Sequence, residues 1–185
     1  LRGQSPSTGT VPSWGDRLKF FLVQAPHVPT AIYEKIHEAY PDVPLQKTTE
    51  RLYDTVAAAD FALVASGTAT LETALLGTPY FLLYKASAST FFFGRRLVKI
   101  PYIGLVNVLA GRHVVPEFIQ YLAVPQRMAH ETKVLLENRE LREKFGKEIR
   151  EAVSGLGGPG ASERAAQIVL TFLRRSPRTP EPSQI

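Results

Sequence analysis

The chain has 185 residues, 44% of them hydrophobic and 21% charged, a net charge of +5 and no cysteine. That is one domain's length, with enough apolar residues for a core. Without thiols, disulfides, thiolate metal sites and cysteine nucleophiles are excluded. The positive balance suits phosphates, nucleic acid or a membrane surface without choosing among them. The chain begins at Leu1 and its only methionine is Met128, so a piece of a longer or processed protein is expected. Residues 1–16 are polar and rich in Ser, Gly and Pro, unlike a signal peptide.

Residues 1–19 read as a loop or disordered start. Residues 20–25 form an apolar run expected to be a buried strand, and residues 29–40 a helix with Ile32, Ile36 and Tyr40 at a spacing of four. Residues 43–47 read as a short strand, with Thr48-Thr49 as a cap for a helix over residues 50–59. Next come a strand at 61–65, a small-residue turn, a helix at 69–76, a stop at Gly77 and a strand at 79–84. Residues 61–84 contain a single charge, Glu72, but Gly67, Gly77 and Pro79 break them as a membrane span. Residues 87–98 are expected to be helical and 102–106 extended. Helices follow at 116–121, 125–137, 139–153 and 161–175, with a turn over 155–160. Residues 176–185 contain three prolines and are expected to be disordered. Strands alternating with helices predict an α/β fold: a Rossmann-like parallel sheet with helices on both faces. Ligands of such sheets sit beyond the carboxyl ends of the strands, where residues 24–30, 47–49, 66–68 and 85–88 all fall.

The turn Ser66-Gly67-Thr68 carries the most chemistry. Helix-start amides lack internal partners and face a favourable dipole, so an anion is welcome there. Gly67 allows close approach, Ser66 and Thr68 add hydroxyl donors, and a diphosphate is the natural ligand. The bland alternative makes Thr68 an N-cap and Gly67 a tight-turn residue. Glu72 stands one helical turn after Thr68 on the same face. It could accept hydrogen bonds from a ribose diol, or pair with Lys85 or another base. Asn107 could cap a short helix or donate its amide to a phosphate.

Taken in order, Ala57-Ala58-Ala59-Asp60, Ser66-Gly67-Thr68-Ala69-Thr70-Leu71-Glu72, Phe91 with Arg96-Leu97-Val98-Lys99, Asn107-Val108-Leu109-Ala110-Gly111-Arg112, Val115-Pro116-Glu117 and Gly158-Pro159-Gly160-Ala161-Ser162-Glu163-Arg164-Ala165-Ala166 form a series. With that series, residues 20–173 resemble the C-terminal, donor-binding half of lipid-A-disaccharide synthase. The resemblance implies the C-terminal domain of a GT-B glycosyltransferase, with residues 20–175 as a UDP-sugar-binding domain. The donor would be UDP-2,3-diacylglucosamine and the acceptor 2,3-diacylglucosamine 1-phosphate. The products would be a β-1,6-linked lipid A disaccharide phosphate and UDP. No metal or other cofactor is implied. Ser66, Gly67 and Thr68 would hold the diphosphate, Glu72 the ribose, Asn107 a second diphosphate contact, and Thr48-Thr49 the uracil. Localisation would be cytoplasmic, peripheral to the inner membrane of a Gram-negative bacterium.

Two departures qualify that picture. The family's Gly-Ser-Arg turn after an earlier strand is not supplied in order by residues 1–5, which allows a sheet incomplete at its N-terminal edge. The acceptor domain, with its expected catalytic base, is missing, so no catalytic residue is assigned and the chain alone is expected to be inactive. Residues 91–99 mix aromatics with basic residues and read either as a surface meeting anionic lipid or as a core-facing helix with a solvated basic end. The alternatives in function are another UDP-GlcNAc enzyme of the same fold, of the peptidoglycan GlcNAc transferase or 2-epimerase type, and a non-catalytic nucleotide-binding module. Basic residues are scattered or terminal, so nucleic acid is not an expected partner.

Overall fold

The computed structural model describes residues 18–25, 28–48, 51–87, 91 and 101–175. Two parallel ladders organise them. In the first, β1 (Phe20–Val23) and β2 (Leu45–Thr48) pair in register Phe20↔Leu45 through Val23↔Thr48, and α1 (Thr30–Ala39) connects them. In the second, the order is β3 (Ala62–Ala65), β4 (Tyr80–Tyr84), β5 (Glu117–Ile119), with α3 (Thr68–Leu76) crossing from β3 to β4 and α4 (Leu105–Ala110) preceding β5. Between the ladders lies α2 (Leu52–Ala58), tied to the β4 entrance where the Thr78 hydroxyl donates to the Val56 carbonyl at 2.8 Å. After β5 come a 3-10 turn at Gln120–Leu122, α5 (Pro125–Glu137), α6 (Arg139–Val153) and α7 (Ala161–Arg175).

Strand β4 explains the core. Its residues alternate between two faces, as the pleat requires, and Tyr80, Phe81 and Leu82 are almost wholly buried. Tyr80 and Leu82 pack with Val64, Ala74, Val106, Val115, Ile149 and Val153, joining the sheet to α3, α4 and α6. Phe81 turns the other way onto Phe118 and Leu135 of α5, with Phe61 edge-on at 4.7 Å between ring centroids. A strand covered on both faces should be apolar throughout, and Tyr80-Phe81-Leu82-Leu83-Tyr84 is. Each such side chain contributes roughly 1.5–3 kcal/mol by burial. The Tyr80 phenol is the exception. Among the described residues its hydroxyl has no partner in hydrogen-bonding geometry, and burial first, then the Glu117 charge, push its pKa well up, with the neighbouring Thr70 hydroxyl pulling the other way.

Helix packing is close where glycine permits it. At Gly146 of α6 an added Cβ would stand 2.9 Å from the Gly77 carbonyl oxygen, and Arg150 donates to that same carbonyl at 3.3 Å. The α5–α6 corner is held by Arg142, which donates to the Leu136 carbonyl at 3.0 Å and pairs with Asp60 at 3.1 Å. Asn138 caps α6 by accepting the Leu141 amide at 3.0 Å.

Several sequence expectations shift. The helix expected over 116–121 is not formed: Glu117–Ile119 is a strand, because Phe118 fills the second face of β4 only in extended register with Leu83, and Gln120 and Tyr121 enter the 3-10 turn that follows. Residues 105–106 belong to α4 rather than to an extended run. The helix expected over 50–59 is Leu52–Ala58, entered from Arg51 in a left-handed conformation (φ 56°) without a side-chain cap. In α1 the buried residue is Tyr33, whose hydroxyl accepts the Ala25 amide at 2.7 Å, whereas Ile32, Ile36 and Tyr40 are exposed. The expected helix at 87–98 falls largely on residues 88–90 and 92–100, outside the described residues. No helix among those described is long and apolar enough to cross a membrane.

Candidate functional site

The chain leaves β3 at Ala65 and enters α3 at Thr68 through Ser66 and Gly67. Ser66 still belongs to the sheet's edge, donating its amide to the Leu83 carbonyl at 2.8 Å. Gly67 is the helix N-cap at φ 148°, ψ −166°. Residues with a Cβ avoid that region, at a cost of order 1–3 kcal/mol. Its chain neighbours aside, a Cβ on Gly67 would meet no atom of the described residues within 4 Å, so the glycine is demanded by its backbone and, among the described residues, the space before it is open. The Gly67 carbonyl is engaged inward, accepting the Thr70 hydroxyl at 2.7 Å and the Thr70 amide at 3.2 Å. Thr68 is thus the first residue inside the helix and not its cap. It is exposed, and Ser66 is half-buried.

Glu72, one turn along α3, is half-buried. It forms no ion pair among the described residues; neither Lys85 nor another base meets it there. Around it the helix is apolar, and Thr70 and Thr73 turn their hydroxyls into the helix's own carbonyls. Among the described residues no hydrogen bond or ion pair engages the Glu72 carboxylate.

Asn107 sits inside α4 and is fully buried. Its Oδ1 accepts the amides of Val114 and Val115, both at 2.8 Å. Its Nδ2 donates to the Val115 carbonyl and to Glu117 Oε1, both at 2.8 Å. An amide side chain has two donor hydrogens and two acceptor sites, and all four are spent within the protein. The side chain builds the α4–β5 connection; a phosphate contact from it would require breaking one of these bonds. Glu117, half-buried at the start of β5, also accepts the amides of Ile103 at 3.1 Å and Gly104 at 2.9 Å. It so fixes the entrance of α4.

Beyond the carboxyl end of β4, the Ala86 amide donates to Gln120 Oε1 at 2.7 Å, and Gln120 Nε2 donates to the Ala86 carbonyl at 3.0 Å. The sequence assigns no role to Glu117, which enters only within the Val115-Pro116-Glu117 element, and none to Gln120. A Glu after Pro116 and a Gln before Tyr121 look like surface residues, and only the strand pairing reveals what they reach. Thr48 ends β2, its carbonyl accepting the Gln24 amide at 2.9 Å; it belongs to the other ladder from Ser66, and Thr49 lies outside the described residues. Among the described residues, no three His, Cys, Asp or Glu side chains gather as metal ligands would.

The carboxyl-end turn at Gly67 and the half-buried Glu72 thus lie on one β-α-β unit. A family model described as lipid-A-disaccharide synthetase matches residues 15–172. Over 124 residues the chain is 50% identical to a lipid-A-disaccharide synthase of Syntrophus aciditrophicus, covering 67% of this chain and 32% of that protein. Over 156 residues it is 40% identical to the synthase of Anaeromyxobacter dehalogenans, covering 84% of this chain and 41% of that one. With the synthase of a Sulfurihydrogenibium species the identity is 33% over 169 residues, 86% of this chain and 44% of the relative. The aligned stretch therefore spans less than half the length of these curated relatives.

Proposed function

The chain belongs to the lipid-A-disaccharide synthetase family, and on that footing we propose that it is the sugar-nucleotide-binding part of a glycosyltransferase. The donor is UDP-2,3-diacylglucosamine, the acceptor 2,3-diacylglucosamine 1-phosphate, and the products are the β-1,6-linked disaccharide phosphate and UDP. One observation carries the reading: a glycine at φ 148° with open space before it, at the N-terminus of a helix beyond a parallel strand. The diphosphate sits on the first amides of α3 and on the hydroxyls of Ser66 and Thr68. As the bond to the anomeric carbon breaks, charge grows on the leaving diphosphate. Fixed amides and the helix dipole stabilise that charge without reorganising. Glu72 accepts from the ribose diol, one turn away from the phosphates it would otherwise repel. Thr48 and Thr49 contact the uracil.

No metal is required by this arrangement, since the leaving charge is met by backbone and hydroxyl donors. The attacking acceptor and its base belong to the remaining polypeptide of the full enzyme. Acylated substrates call for contact with a membrane surface. The run Phe91-Phe92-Phe93 with Arg95, Arg96 and Lys99 supports a peripheral, cytoplasmic position at an anionic leaflet.

Calorimetry of the 185-residue chain with UDP and with pyrophosphate tests the site. UDP is expected to bind, Gly67→Ala to weaken both ligands, and Glu72→Ala to weaken UDP about tenfold or more while sparing pyrophosphate. Equal UDP affinity in Glu72→Ala would sink the ribose assignment; undiminished affinity in Gly67→Ala would sink the diphosphate turn.

A further inference from the structure

We propose that Gln120 is a positioning residue of the sugar-nucleotide crevice, holding the backbone that leaves β4 in place for the donor. The inference rests on the diphosphate reading of the Ser66-Gly67-Thr68 turn. Strand β5 ends at Ile119, opposite Tyr84, so among the described residues the β4–β5 ladder stops two residues short of Ala86. Gln120 continues it with a side chain. Its amide receives the Ala86 N–H at 2.7 Å and donates to the Ala86 carbonyl at 3.0 Å, a two-bond exchange with one residue that the parallel β4–β5 ladder itself does not make and that pins both polar groups of Ala86. Ala86 lies three residues past Leu83, whose carbonyl holds the Ser66 amide. Three residues of extended chain span about 10 Å, which puts the clamped Ala86 beyond the level of the diphosphate turn, on the carboxyl-end side of the sheet where ligands of such folds sit.

Stability alone gives little reason for this arrangement. Gln120 has φ 51°, a left-handed conformation costing an ordinary residue roughly 1–2 kcal/mol. Fixing a glutamine side chain costs up to about 2 kcal/mol more. Two neutral hydrogen bonds return only about 1–3 kcal/mol net. Glycine would accept that φ freely and asparagine more readily than glutamine, yet neither reaches Ala86. The residue present is the one that tolerates the backbone worst of the three and spans the gap. What it supplies is the place of the crevice wall.

The test compares UDP affinity and melting temperature in the 185-residue chain carrying Gln120→Gly, Gln120→Asn or Gln120→Glu, with Gly67→Ala as control. Gly and Asn variants are expected to bind UDP about tenfold more weakly while melting within about 4 °C of the parent. In Gln120→Glu the ionised carboxylate accepts the Ala86 amide but faces the Ala86 carbonyl; protonated, it restores both bonds. Its affinity relative to the parent should therefore be low near pH 8 and recover as pH falls to about 5. Parent-like UDP affinity in Gln120→Gly and Gln120→Asn, with Gly67→Ala impaired, overturns the Gln120 role and leaves the diphosphate reading standing. Weak binding accompanied by a large fall in melting temperature in both variants makes Gln120 structural only and overturns it too. No UDP binding by the parent chain overturns both readings.

Discussion

Replacing Asn107 separates two readings of it. As a phosphate ligand, its removal should cost affinity and little else. As the geometry stands, it should cost stability first. Asn107→Ala strands the amides of Val114 and Val115, both buried, and takes a donor from the Val115 carbonyl and from Glu117. A buried donor left unpaired costs about 1–3 kcal/mol, and the small void adds to that. The two amides alone give about 2–6 kcal/mol against a typical domain stability of about 5–15, a fall of roughly 4–24 °C in melting temperature for a domain of this size. Asn107→Asp sharpens the case. It keeps the shape and both accepted amides but places a second carboxylate against Glu117. Burial and that like charge raise the new carboxyl's pKa in the folded state above its unfolded value. The folded state then binds the proton more tightly, so the variant's stability deficit is largest at neutral pH and shrinks as pH falls toward the unfolded value near 4. Urea unfolding of both variants at several pH values, with UDP titration alongside, is the assay. An Asn107→Ala protein within about 1 kcal/mol of the parent but deficient in UDP binding would refute the structural argument.

Two further outcomes follow from the packing. Tyr80→Phe removes a buried hydroxyl without a partner and should leave stability unchanged or raise it by about 1 kcal/mol, read as a urea midpoint; a clear loss would reveal a bond to the phenol. Gly146→Ala gains about 1 kcal/mol of helix propensity but drives a Cβ to 2.9 Å from the Gly77 carbonyl, and overpacking of 1–3 kcal/mol should win, lowering the melting temperature.

Where the sequence was legible, one residue decided its own conformation. Gly67 and Gly77 bracket α3 because their φ values, 148° and 74°, favour glycine over residues with a Cβ. Val64 to Tyr84 reads as strand, helix and strand because its apolar runs are long and its breakers strong. Pro125 opens α5 and Asn138 divides it from α6. Residues 102–122 were opaque for the opposite reason. Leu105-Val106-Asn107 has no cap and α4 is six residues long, too short for periodicity to register. Glu117–Ile119 is three residues, and its extended form is set by β4 rather than by its own preferences. Thr68 and Glu72 fall one turn apart in α3, as their spacing implies. The saturation of Asn107 could not be read from residue types, because an amide that caps, binds phosphate or ties a loop is spelled the same way.

The short β5 strand explains why polar side chains matter so much here. Three paired residues give too few ladder bonds to anchor both the segment before α4 and the segment after β4. Glu117 and Gln120, three apart on either side of Phe118 and Ile119, supply the difference: one receives the amides of Ile103 and Gly104, the other brackets Ala86. Phe118 meanwhile sinks into the second core beside Phe81, 5.1 Å between centroids. One strand thus anchors the apolar interior through one residue and sets two stretches of backbone through its flanking polar pair. A perturbation of Phe118 should therefore spread to both stretches, whereas Gln120 variants should stay local to residues 85–87. Amide exchange at Gly104 and Ala86 distinguishes the two, since only the Phe118 change should expose both.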